Sequence, residues 1–179
     1  MQIQKLHHVV YRCKDAKETA KFYTELLDLD FAMAVSETNV PSTGESCPYI
    51  HIFFEMADGS SVAFFELPEE PDMQMDPNTP EWVQHLALEV GDMDELTAAK
   101  ERLVNAGVEV VGPTDHTFCQ SIYFFDPNGH RLELTVRTET PEMMQRLRDT
   151  ATPMLEEWDQ TKTVSDKAAW IHENTEAGR

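Results

Sequence analysis

The same plan occurs twice in this chain, and that duplication restricts its fold more than any other feature of the sequence. His8 opens an apolar stretch and Asp15 follows seven residues later; His85 opens another, and Asp92 again follows seven residues later. Phe53-Phe54, a turn at Asp58-Gly59 and then Glu66 are echoed by Phe124-Phe125, a turn at Asp126-Pro127-Asn128-Gly129 and then Glu133. Alternating β-formers, acidic helix starts and glycine-bearing turns make each half read β-α-β-β-β. In the first half the strands are predicted at 5–13, 29–35, 49–56 and 61–67, with a loop over 36–48 and a helix opening at Asp15. In the second half they are predicted at 83–90, 108–111, 121–125 and 131–136, with a helix opening at Asp92 and stopped by Gly107.

The boundaries follow from composition. Residues 1–67 form a first module and 81–137 a second. Residues 68–80, with four prolines and four acids, form the linker between them. Residues 138–179 are a helical extension outside the repeat, with Pro141 as a first helical residue. Pro153 is expected to break or kink that helix, and a second short helix is expected near 165–172.

Thirty-three acids against 14 bases give a net charge of −19, which leaves no basic stripe for nucleic acid. No apolar run reaches the ~20 residues of a membrane span, and the N-terminus lacks a signal-type apolar stretch. Three cysteines, Cys13, Cys47 and Cys119, have no metal-type spacing and read as reduced thiols. The expectation is a cytoplasmic protein with no membrane or nucleic-acid partner.

A lone histidine is more often a packing residue than a ligand. Two histidines and two glutamates at matched places of a duplication reverse that balance. If the modules pack with pseudo-two-fold symmetry, His8, His85, Glu66 and Glu133 reach one hollow. Strand alternation supports this, because Glu133 shares a face with Arg131 and Thr135, while Leu132, Leu134 and Val136 face the other way. Imidazole and carboxylate donors suit Fe(II), Mn(II), Zn(II), Ni(II) or Co(II). The fold class expected is α+β: two βαβββ modules whose mixed sheets form a half-barrel metal cavity, with a C-terminal helical extension.

The segments Leu6 to Asp15 followed by Phe22-Tyr23 and Leu27, His85 to Val90, and Asp126 to Glu133 resemble the vicinal oxygen chelate superfamily of glyoxalase I, bleomycin-resistance proteins and extradiol dioxygenases. The resemblance covers residues 5 to 137. Within it, Thr114-Asp115-His116, Ile122-Tyr123, Asp126-Pro127, Gly129 and Glu133 are spaced as in the signature of type I extradiol dioxygenases. That resemblance implies His8, His85 and Glu133 as ligands of Fe(II), or occasionally Mn(II). It also implies His116 and Tyr123 as a pair that hydrogen-bonds substrate hydroxyls and bound oxygen. The further acid–base histidine usual in that family is missing from residues 68–84, and His51 is the remaining candidate in this half.

The implied activity is cleavage of a catechol-like aromatic diol by O2, in a homodimer. The alternative is a glyoxalase I-like lyase or epimerase in which Glu66 is a fourth ligand. Against that alternative, Arg12 is the one obvious arginine near the site for a glutathione carboxylate. A non-catalytic binder of the bleomycin-resistance type is disfavoured by the full set of ligands. Pairing of modules within one chain or across two is left open by the sequence.

Overall fold

The computed structural model describes residues 1–171. The first module builds β1 (His8–Arg12), α1 (Ala16–Glu25), β2 (Asp30–Asn39), β3 (Ser46–Glu55) and β4 (Ser61–Glu66). The second builds β5 (His85–Glu89), α2 (Met93–Asn105), β6 (Val111–Asp115), β7 (Cys119–Phe125) and β8 (Arg131–Arg137). The strand orders are β1-β4-β3-β2 and β5-β8-β7-β6, so the two sheets share one topology. In the first sheet β1 runs parallel to β4, while β3 is antiparallel to both β4 and β2. The architecture is α+β with two four-stranded sheets, each from one βαβββ repeat, followed by α3 (Pro141–Thr161) and a 3-10 turn at Asp166–Ile171.

Both module helices start on a side-chain cap. The carboxylate of Asp15 accepts the Glu18 N–H, and that of Asp92 accepts the N–H groups of Asp94 and Glu95. Tyr23, fully buried on α1, stacks on Phe54 and lies 4.9 Å from Phe64. Leu96 and Leu103 of α2 are buried, as are Ile122, Phe124, Leu132 and Leu134 of β7 and β8. In both sheets the even-numbered residues of the last strand are therefore core, which sends the odd-numbered ones to the opposite face.

Several elements depart from expectation. β2 continues to Asn39 and β3 begins at Ser46, where the sequence suggested loop over 36–48. Ser36 donates to the Tyr49 carbonyl and Tyr49 bonds Glu37, so polar side chains hold the hairpin ends together. β6 falls at Val111–Asp115 rather than 108–111, because its ladder to β7 skips from the Val111–Tyr123 pair to the Thr114–Ser121 pair. The residue before the cis Gly112–Pro113 bond has φ +105°, and a Cβ there would lie 2.5 Å from the Ser121 carbonyl oxygen, so glycine is required. Pro153 does not break α3; one missing N–H is absorbed by 21 residues of helix. The last residue of the expected second helix, His172, lies outside the described residues.

The chain divides into two units, and the division does not follow the modules. The first comprises Met1–His85 with Phe125–Arg131, the second Leu86–Phe124 with Leu132 onward. The β7–β8 turn thus belongs with the first unit. Its hub is Asp126, 5% exposed. The Asp126 carboxylate accepts from the N–H groups of Asn128 and His130, from the Asn128 side-chain amide and from the Tyr23 hydroxyl. Asn128 in turn accepts the Lys14 N–H and donates to Thr19. Desolvation, reinforced by Asp126, pushes the Tyr23 phenol well above its ordinary pKa. No helix among the described residues is long and apolar enough to cross a membrane.

Candidate active site

In the first unit the site residues stand on one face of the first sheet. Across the sheet His8 pairs with Ser61, Val10 with Ala63 and Arg12 with Phe65; on the far side of β4, Phe53 pairs with Ala63 and His51 with Phe65. His8, Val10, Arg12, His51, Phe53 and Phe65 therefore share that face. The His8 and His7 Nδ1 atoms are 2.7 Å apart, one donating and one accepting. His51 stacks on Phe65 at 3.8 Å and lies 4.1 Å from Phe53. Burial, with a smaller contribution from His8, lowers the His51 pKa. The Nε2 of His51 is buried without a hydrogen-bond partner.

Glu66 is corrected by this register. It shares the helix-facing side of β4 with Val62 and Phe64, opposite to His8. Its Oε2 accepts the Ala16 N–H, at 2.6 Å, in the first turn of α1. Counted from the turn glycines, Gly59 and Gly129, the counterpart of Glu133 is Ala63, four residues on in each case. Phe53-Phe54 and Phe124-Phe125 suggested a different alignment because the hairpins differ in length. A Glu66→Ala variant is expected to keep full metal content and to lose about 1 kcal/mol of stability, the worth of a helix-start bond. Parallel metal analysis and urea titration check both.

In the second unit Glu133, 6% exposed, is the centre. Ser121 Oγ donates to its Oε1 at 2.5 Å and lies 2.9 Å from the Thr135 hydroxyl. Tyr123 stands two residues along β7 from Ser121, on the same face, and its hydroxyl lies 2.7 Å from His116 Nε2. Burial raises the Tyr123 pKa, and the neighbouring Glu133 raises it further. His116 and Tyr123, paired in the sequence reading only by analogy, are thus in contact. Ser121 was not singled out from the sequence; a serine two residues before the tyrosine carries no local signal, and only the β7–β8 pairing brings it to Glu133.

His85 opens β5 and is exposed. On its face of the strand follow Ala87 and Glu89, and Glu89 pairs with Arg137, which has the same parity as Glu133 on β8. Phe54, Phe64 and Phe124 are core rather than cavity wall, whereas Phe118 is exposed. Among the described residues no group of three or more His, Cys, Asp or Glu side chains stands close enough to hold a metal ion.

A profile described as "Glyoxalase/Bleomycin resistance protein/Dioxygenase superfamily" matches residues 5–134, most of the chain and both repeats. The chain belongs to the glyoxalase/bleomycin resistance protein/dioxygenase superfamily. Solved structures with this fold include a domain of the superfamily from Frankia sp. EAN1pec, 20% identical with a TM-score of 0.62, covering 76% of this chain and 99% of that one. The fosfomycin resistance protein FosX from Listeria monocytogenes, in complex with Mn(II) and sulfate, is 22% identical with a TM-score of 0.55, covering 80% and 99%. An integron cassette protein from the mobile metagenome of the Halifax Harbour sewage outfall is 26% identical with a TM-score of 0.52, covering 75% and 99%. The superfamily match ends before α3, so the helical extension lies outside it.

Proposed function

We propose that this superfamily member is a metal-dependent extradiol dioxygenase, opening the ring of a catechol-like diol with O2. The observation that carries the reading is the contact of His116 with Tyr123, on the strand face that also presents Glu133. A resident divalent ion would be held by His8, His85 and Glu133. The donor set fits, since two imidazoles and one carboxylate leave coordination positions open for a diol and O2. A carboxylate buried as deeply as Glu133 is costly unless a cation or strong donors meet it. With Nδ1 of His8 engaged by His7, Nε2 would be the nitrogen left to hold an ion. Fe(II) is the metal this chemistry favours; Mn(II), present in the FosX complex, suits the same donors. When bound, the ion supplies Lewis acidity that lowers the diol pKa values and a site where O2 and diol meet.

The chain's own residues do the rest. Tyr123, its pKa raised by burial and by Glu133, stays a protonated donor at neutral pH and can hydrogen-bond a substrate oxygen. His116 receives or returns that proton through Nε2. Burial favours the neutral form of His51, and its register row sets it beside Arg12 rather than beside His8. The reading asks one ion to take donors from both modules, of one chain or of two. The lyase alternative loses its fourth ligand with Glu66 tied to α1.

Iron-loaded protein prepared without oxygen is expected to consume one O2 per catechol and to form a yellow ring-opened product when air is admitted. Both oxygen atoms enter that product as one ring C–C bond breaks. No oxygen uptake with any catechol from protein carrying its full complement of metal would overturn the assignment.

A further inference from the structure

Two buried nitrogens on the first sheet lack partners, and they lie in the same register row. Arg12 Nε and His51 Nε2 are both buried without a hydrogen bond. Arg12 pairs with Phe65 on one side of β4 and His51 pairs with Phe65 on the other, so the row reads Arg12, Phe65, His51. A buried N–H without an acceptor is unfavourable, and proteins keep few of them outside ligand sites. The terminal nitrogen of Arg12 donates to main-chain carbonyls, to Pro71 O at 2.6 Å and Glu70 O at 3.5 Å. No carboxylate among the described residues pairs with the guanidinium, so its charge is not neutralised there.

The next row is lower. Val10, Ala63 and Phe53 form the row between the Arg12 row and the His8 row. From His8 to Arg12 is four residues of strand, about 13 Å. That is roughly the span of a diol at a His8-held ion, a benzene ring, and an acidic group on the opposite ring position hydrogen-bonded to arginine.

We propose that the substrate is an aromatic acid, its carboxylate held by Arg12 and His51 and its ring lying over Val10, Ala63 and Phe53. The diol end of this proposal rests on the function proposed above; the carboxylate end rests on the orphaned nitrogens alone. Arginine is the side chain suited to a carboxylate, since its fork offers parallel N–H donors.

The test compares 3,4-dihydroxybenzoate with catechol on the metal-loaded full chain, and titrates benzoate into the metal-free full chain, by calorimetry. Wild type is expected to favour the acid over catechol about 30-fold, the worth of a charged hydrogen-bonded contact. Arg12→Met narrows that ratio to below about threefold, His51→Phe narrows it part-way, and Arg12→Lys retains part of it. Melting temperatures of the variants check that they fold. A wild-type ratio near one, or an unchanged ratio in folded Arg12→Met, overturns the proposal. Catechol turnover without preference for the acid sinks this inference and spares the dioxygenase. Arg12-dependent benzoate binding with no turnover of either diol does the reverse.

Discussion

A Glu133→Ala variant is expected to lose divalent metal binding by on the order of 10³-fold, while its metal-free form melts close to wild type. The two halves of this result have different causes. Glu133 is the one anionic ligand in the proposed set, and an ion loses both a bond and most of its charge compensation without it. In the metal-free protein the balance is different. Holding a carboxylate at 6% exposure costs desolvation energy, offset by the Ser121 donation. Removing the carboxylate relieves that cost, and the Ser121 hydroxyl keeps the Thr135 hydroxyl at 2.9 Å as a partner. Titration of Mn(II) followed by electron paramagnetic resonance, with calorimetric melting of the metal-free forms, measures both. Wild-type affinity in the variant would remove Glu133 from the ligand set and with it the metal site proposed here. Mixing His8→Ala chains with Glu133→Ala chains extends the experiment. Recovered metal binding shows that donors come from two chains, and no recovery from two folded variants places them in one.

The largest effect on stability is expected far from any chemistry. Asp126→Ala should cost about 3–4 kcal/mol, because four donors lose a buried acceptor at once. Those donors are the Asn128 and His130 N–H groups, the Asn128 amide and the Tyr23 hydroxyl. For a chain of this size that is a fall in melting temperature of about 10 °C. Tyr23→Phe removes one of the four and should cost about 1 kcal/mol. A loss in Asp126→Ala no greater than in Tyr23→Phe would show that the turn does not anchor the first unit. The sequence Asp126-Pro127-Asn128-Gly129 reads as a hairpin turn, and it is one. Its second task, seating Asn128 between Lys14 and Thr19, is invisible locally because those residues lie more than a hundred positions away.

The same contrast runs through the candidate site. The pairing of His116 with Tyr123 came from the resemblance to the extradiol signature, and in the fold a tyrosine on β7 and a histidine just beyond β6 meet across one hairpin. His8 and His85 each open the first strand of their repeat, as the duplication predicts. Glu66 was misread because a sheet has period two. Its separation from the turn glycine is seven residues, against four for Glu133, and an odd difference reverses the face. Ser121, and the orphaned nitrogens of Arg12 and His51, had no signal at all. Their meaning depends on which strands lie beside them.

From the chain alone came the duplication, the capped helices, the strand faces rich in core residues and the superfamily. Each is written in the order of residues within a window of ten or twenty, where helix and strand periods leave a direct imprint. Only the folded molecule decided that Glu66 serves a helix, that the β7–β8 turn joins the first unit, and that two nitrogens flank Phe65 without acceptors. These depend on pairing between segments distant in sequence, where a single step of register exchanges interior for surface and no local pattern records the choice.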